Sequence, residues 1–147
     1  MEQLILNIFI LILWIVYSSL FGYCDAYYWY GANVGKYCLK DFKFKDLHPQ
    51  FFWMRSIVSI VFGLTLSNGN YLNSLLYTMC LGMILPFFHN GFYYHTRNKI
   101  DPTVYPLGFK DMSKTSIANV NFTFSVRTAL MVIGVTGLFL LHLLNLI

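Results

Sequence analysis

The chain has 147 residues, of which 57% are hydrophobic and only 11% charged, and its net charge is +4. Soluble domains carry about 25% charged residues, so these proportions exclude an ordinary water-exposed surface, and we expect much of the surface to face lipid. The ten basic residues are few and lie beside long apolar segments, a pattern that argues against nucleic-acid binding. The length corresponds to a single domain.

Four segments have the composition of membrane spans, because a helix needs about 20 apolar residues to cross the hydrocarbon core. The second segment is the shortest and contains Arg55, whose long side chain can reach the interface by snorkelling. The sequence therefore predicts an all-α integral membrane bundle of four transmembrane helices. The predicted spans are 4–23, 51–67, 71–94 and 124–147.

The first span is expected to stay in the mature protein. A secretory signal begins with basic residues and ends at a small-residue cleavage site, whereas no Lys or Arg precedes Lys36 here. Between the second and third spans, the residues Ser67-Asn68-Gly69-Asn70 favour a tight reversal, since Gly and Asn readily adopt left-handed conformations. This turn predicts an antiparallel hairpin.

The basic residues indicate an orientation. With four spans, the loops 24–50 and 95–123 lie on the same side of the membrane. All ten basic residues belong to these loops or to their edges: Lys36, Lys40, Lys43, Lys45, Arg55, Arg97, Lys99, Lys110, Lys114 and Arg127. The positive-inside rule then predicts cytoplasmic loops and external termini, in a bacterial inner membrane or an organellar inner membrane. A re-entrant second segment would break this partition.

Aromatic residues gather at the same predicted side, after the first span, at the start of the second and at the end of the third. Aromatic rings prefer the membrane interface, so we interpret them as an anchoring belt. A ligand-stacking site is the alternative. They include Tyr27, Tyr28, Trp29, Tyr30, Phe51, Phe52, Trp53, Phe87, Phe88, Phe92, Tyr93 and Tyr94.

Small residues recur at helical spacing in the predicted spans, which favours close helix packing in lipid. Lining of an oligomeric pore is the alternative interpretation. The stripes are Ser18 and Gly22 in the first span, Ser56, Ser59, Gly63 and Ser67 in the second, and Ser74, Thr78, Gly82 and Pro86 in the third. In the last span, His142 and Asn145 lie one turn apart and are expected to form an interfacial pair.

One polar patch is predicted near the cytoplasmic boundary. Its members are Asp25, Arg55, His89, Asn90, Tyr93 and Arg97. Because an ionisable group within a membrane span is usually paired, we expect Asp25 to pair with Arg55 or His89. Two interpretations stand: an ion pair that locks three helices together, or a functional site for an anionic headgroup, an ion path or acid–base chemistry.

No cofactor or metal is predicted. His48, His89, His95, Asp25 and Asp46 lack the spacing of known ligand pairs such as H-x-x-x-H. Nucleophile motifs such as G-x-S-x-G and glycine-rich phosphate loops are also missing from the sequence. The enzyme question stays open, with the balance toward a protein that is not an enzyme.

The segment Phe88-His89-Asn90-Gly91-Phe92-Tyr93-Tyr94-His95-Thr96-Arg97-Asn98, together with Asp25-Ala26-Tyr27-Tyr28 and the region around Arg55, resembles small, uncharacterised polytopic membrane proteins of Bacteroidetes and their phages. The resemblance covers most of the chain. It implies a bacterial or phage source and carries no activity or site residue with it.

Three functional hypotheses follow. The first is a membrane protein that assembles with itself as a pore or membrane effector, or with other membrane subunits as an accessory protein. The second is a small transporter or channel, and the third is an enzyme acting on lipid headgroups; both would use the polar patch. We favour the first, because the chain is small, lacks a catalytic motif and carries small-residue stripes. Its expected partners are the lipid bilayer and further membrane subunits, with no nucleic acid.

Overall fold

The computed structural model describes residues 2–33, 48–114 and 121–144, and within these residues the chain forms four α-helices. The helices are α1 (Glu2–Asn33), α2 (His48–Leu66), α3 (Tyr71–Ile100) and α4 (Phe124–Leu144). A 3₁₀ turn at Gly108–Lys110 precedes a short antiparallel ribbon of β1 (Ser113–Lys114) and β2 (Asn121–Phe122), in which Ser113 faces Phe122. The predicted all-α bundle is confirmed.

Three helices contain segments long and apolar enough to cross a bilayer, namely Leu4–Tyr30, Tyr71–Ile100 and Phe124–Leu144. The apolar part of α2, Phe51–Leu66, is shorter. At 1.5 Å per residue it extends about 24 Å, against a hydrocarbon core of about 30 Å. The chain is thus an integral membrane protein, with α2 as its shortest apolar helix.

Two helices continue beyond the predicted spans. α1 runs to Asn33, ten residues past the predicted end of the first span at residue 23. α3 passes through Pro86 and ends at Ile100, directly before Asp101 and Pro102, because a proline disfavours helical geometry in the residue before it. Polar and aromatic residues at these helix ends therefore lie on rigid helices and not on loops.

α3 lies at the centre and packs against each of the other three helices. The buried core joins α1 to α3: the indole Nε1 of Trp14, fully buried, donates a hydrogen bond of 3.0 Å to the carbonyl oxygen of Leu81. Around this contact lie the buried residues Ile10, Leu66, Tyr77 and Ile84. Burial of the indole with its donor satisfied fixes the level at which α1 meets α3.

Small residues set the distances between the helices, as the stripes predicted. A Cβ at Gly22 would overlap the carbonyl oxygen of His89, and one at Gly63 would overlap the hydroxyl of Thr78. A Cβ at Gly134 would lie 2.6 Å from the carbonyl oxygen of Cys80. Each of α1, α2 and α4 thus approaches the backbone of α3 at a glycine, the mode of packing that helices use in lipid.

Gly82 departs from the predicted stripe. It is exposed, and nothing lies within 4 Å of the position that its Cβ would take. Leu72, Leu75 and Met79, also exposed, share its side of the helix at spacings of three and four residues. We call these four residues the open α3 face.

The two ends of the bundle differ in chemistry. At the turn end, the α2–α3 hairpin is confirmed: Asn68 and Gly69 adopt φ angles of 50° and 81°. Asn70 then caps α3 by accepting a hydrogen bond from the backbone N–H of Asn73. We call the opposite end the basic end, because Arg55, Arg97 and Arg127 make their contacts there.

Candidate polar cluster at the basic end

Three helices meet at the carboxylate of Asp25. Its Oδ2 accepts a hydrogen bond of 2.6 Å from Nη2 of Arg55 on α2, and it lies 2.9 Å from Nε2 of His89 on α3. The side chains keep 15%, 21% and 8% exposure, respectively. We call Asp25, Arg55, His89 and Asn90 the Asp25 cluster. Both pairings considered for Asp25 occur, on one and the same oxygen.

The helices bring this carboxylate into position through Gly22, one turn before it. Because Gly22 has no side chain, α1 rests against the carbonyl of His89, and Asp25 then lies beside the imidazole of that residue. The guanidinium of Arg55 is further held 4.8 Å from the ring centre of Phe21, a cation–π distance. The backbone contact and the ion pair therefore depend on each other.

His89 links the cluster to its own helix. Its Nδ1 lies 2.9 Å from Oδ1 of Asn90, while Nε2 faces Asp25. Both ring nitrogens of His89 therefore lie within hydrogen-bond distance of a polar side chain, one on α1 and one on α3.

Arg97 belongs to the predicted patch but does not contact the Asp25 cluster. It lies two turns further along α3, 3% exposed, with its guanidinium carbon 3.8 Å from the ring centre of Trp29 and 4.8 Å from that of Tyr105. Tyr93 lies between the two groups, beside Gly22 and with its ring 5.0 Å from that of Tyr94. The predicted patch therefore divides into an ion-pair cluster and a cation between aromatic rings.

A second buried arginine was not among the predicted site residues. Arg127, fully buried near the start of α4, donates from Nη2 to the carbonyl oxygens of Phe109 and Asp111, at 2.7 and 2.9 Å. The ring of Phe109 in turn fills the space that Gly91 leaves on α3. This arginine ties the loop after α3 to α4. Its position three residues into an apolar helix was the available signal in the sequence.

No metal centre is present among the described residues, where no group of three His, Cys, Asp or Glu side chains is close enough to hold an ion. Of the considered ligands, Asp46 lies outside the described residues. At the turn end, His142 pairs with Asn7 of α1, with 2.9 Å between Nδ1 and Nδ2. The expected partner, Asn145, lies outside the described residues.

The polar groups of the Asp25 cluster pair with one another. Within the described part of the chain, each of its side chains contacts another member, and three helices contribute. Such an arrangement can hold three helices in register. No protein-family model, curated protein or solved structure matches this chain.

Proposed function

We propose that the protein is a non-enzymatic membrane protein that works as an assembly of identical copies, as a pore or membrane effector. Its four helices all cross the membrane, the basic end lies inside and the termini lie outside. The observation that carries this proposal is the exposed Gly82 on the open α3 face, four residues before Pro86.

The carbonyl of Gly82 lacks the usual backbone donor of an α-helix. In an α-helix, the N–H of the residue four positions later donates to each carbonyl, but residue 86 is a proline and has no N–H. Gly82 is exposed and has no side chain to cover its backbone. Since hydrocarbon offers no water to replace the missing donor, a donor from a neighbouring helix would stabilise this position. A glycine also permits a second helix to approach closely.

A suitable donor lies on another face of the same chain. Thr128 donates its hydroxyl to the carbonyl of Phe124, as Thr in helices commonly does, but Thr136 is exposed and makes no hydrogen bond within the described residues. Thr136 lies between Gly134 and Gly137, both of which pack on Cys80 of α3. It therefore sits at about the depth of Gly82, so one copy's Thr136 can reach the Gly82 carbonyl of the next.

Contacts between two different faces of identical copies form rings when the rotation closes. The apolar part of α2 also favours neighbours, because a span shorter than the bilayer core is accommodated by thinning of the bilayer or by oligomerisation. Crossing by α2 is supported by Leu66 at its end, which lines one cleft together with Leu4 of α1 and His142 of α4. The orientation is supported by the ten basic residues that the positive-inside rule places inside.

The test is the mass of the particle extracted gently from its membrane, with every component identified. We expect several copies of this chain and no other protein. Gly82→Phe should reduce the particle to single copies, because the ring occupies the contact. Thr136→Val should weaken association by about threefold, since a hydrogen bond between membrane helices contributes about 0.6 kcal/mol. Ile12→Phe is the matched control, because Ile12 is exposed on α1, away from both proposed contact faces.

A single copy under every gentle condition, or equal masses for Gly82→Phe and Ile12→Phe, would contradict the proposal. Co-extraction of other proteins with one copy of this chain would instead favour an accessory subunit. If a closed ring is found, ion conductance across a bilayer containing the purified ring distinguishes a pore from an effector without a channel.

A further inference from the structure

A cleft of about 150 Å³ opens at the turn end between α1, α3 and α4. Its walls are apolar, with Leu11 and Leu138 inside and with Ile8 and Phe139 at positions 50% and 59% exposed. An enclosed apolar cavity of this volume holds a benzene-sized molecule, and this cleft is open on one side, so a longer ligand can extend out of it. Because its exposed lining residues belong to the apolar helix surface, the cleft opens toward lipid.

A polar group lines the same cleft. His142 is 7% exposed, and its Nδ1 lies 2.9 Å from Nδ2 of Asn7. With the amide of Asn7 in this orientation, its NH₂ group donates to Nδ1, which assigns the ring N–H to Nε2. Among the described residues, Nε2 has no hydrogen-bond partner. The cleft therefore combines apolar walls with the ring N–H of His142.

The depth of His142 indicates which ligand fits. It lines the cleft with Leu4, two residues from the charged Glu2, and with Leu66, which precedes the polar turn at 67–70. Charged and polar segments lie at the boundary of the hydrocarbon core rather than inside it. His142 thus lies near the boundary where acyl chains carry their carbonyl or carboxylate groups. Water is a poor alternative ligand, since it needs two to four polar partners.

We infer that this cleft binds an acyl chain whose carbonyl or carboxylate oxygen accepts a hydrogen bond from Nε2 of His142. The chain itself lies between Leu11 and Leu138. The inference does not depend on the proposed assembly, because the open α3 face contributes no residue to the cleft. Either a free fatty acid or the ester of a membrane lipid offers the required chemistry.

The experiment measures displacement of a fluorescent fatty acid, 11-(dansylamino)undecanoic acid, from the full chain held in an amphipol. We expect dodecanoate to displace the probe and dodecane, which lacks an acceptor, to do so about tenfold less well, as expected for one lost hydrogen bond. Dioctanoyl phosphatidylcholine distinguishes the two sources: competition equal to that of dodecanoate indicates an esterified lipid, and weaker competition indicates a free acid.

Three variants locate the site. His142→Phe keeps an apolar ring but removes the donor, so probe affinity should fall about tenfold. His142→Gln restores an N–H donor and should recover most of it, while Leu138→Trp should abolish binding by filling the cleft. Val132→Phe, outside the cleft, should bind normally. Unchanged affinity in His142→Phe or in Leu138→Trp, or equal displacement by dodecane and dodecanoate, would overturn the inference.

Discussion

At the scale of single residues, the carboxylate of Asp25 connects α1 to two other helices. One oxygen holds a guanidinium and an imidazole that belong to different helices. A buried ion pair adds little net stability over apolar packing, but removal of one partner leaves an uncompensated charge. Removal of one charged partner is therefore expected to lower the stability more than replacement of both partners by apolar residues.

This expectation gives a double-variant test. Asp25→Leu should lower the free energy of unfolding in detergent by about 3 kcal/mol, the lower end of the range for breaking a buried pair, because the pair keeps some exposure. Asp25→Leu combined with Arg55→Met should recover more than half of that loss, since no unpaired arginine remains. Thermal unfolding followed by fluorescence measures both. Lys99→Ala, which removes an exposed charge at the same end, is the control and should have little effect. If the stability losses of the Asp25 and Arg55 substitutions simply add in the double variant, the ion pair does not hold the helices together.

The Asp25 cluster was largely predictable from the sequence, whereas the contacts of Arg97 and Arg127 were not. Asp25, Arg55 and His89 lie on helices whose order and directions follow from hydropathy, so their common depth could be inferred. Arg97 and Arg127 depend on Tyr105, Phe109 and Asp111. These groups lie on the irregular segment after α3, whose path no periodic pattern specifies.

At the scale of helices, the close contact between α1 and α3 depends on the absence of a side chain at Gly22. Gly22→Ala should destabilise the fold by about 1–3 kcal/mol, the usual cost of overpacking, because the added methyl overlaps a backbone carbonyl that cannot rotate away. This loss should exceed the gain in helix propensity of about 1 kcal/mol. Leu20→Ala, on the exposed side of the same helix, is the control. A Gly22→Ala protein that unfolds at or above the wild-type temperature would show that the helices do not meet there.

Helical phase explains where the predicted stripe on α3 failed. Residues four apart advance by about 400°, which leaves a drift of about 40° at each step. Ser74 and Thr78 still face α2 through Gly63, but two steps carry Gly82 about 80° away, onto the open α3 face. Helix ends were also underestimated, because hydropathy falls at the membrane boundary while the backbone continues as a helix to Asn33 and Ile100.

At the scale of the whole molecule, charge is distributed along one axis. Arg55, Arg97 and Arg127 make their contacts at the basic end, while the opposite end presents an Asn-Gly-Asn turn and the Asn7–His142 pair. The membrane potential and anionic lipids both favour basic residues on the inside. The fold and the orientation are then consistent with each other only if α2 crosses the membrane, and α2 is the shortest apolar helix.

Labelling at three positions tests that crossing directly. Cys38 in the segment between α1 and α2 is kept, Cys24 and Cys80 are replaced by Ser and Ala, and Gly69→Cys and Lys110→Cys are introduced one at a time, with Cys38 replaced in those two variants. A membrane-impermeant maleimide, applied to vesicles of each orientation, should reach position 69 from outside and positions 38 and 110 from inside. If α2 were re-entrant, positions 38 and 69 would be labelled from the same side and position 110 from the other, because α3 still crosses between the last two. The α2 helix is therefore the element on which the topology depends, and this pattern of three labels separates the two arrangements without reference to any activity.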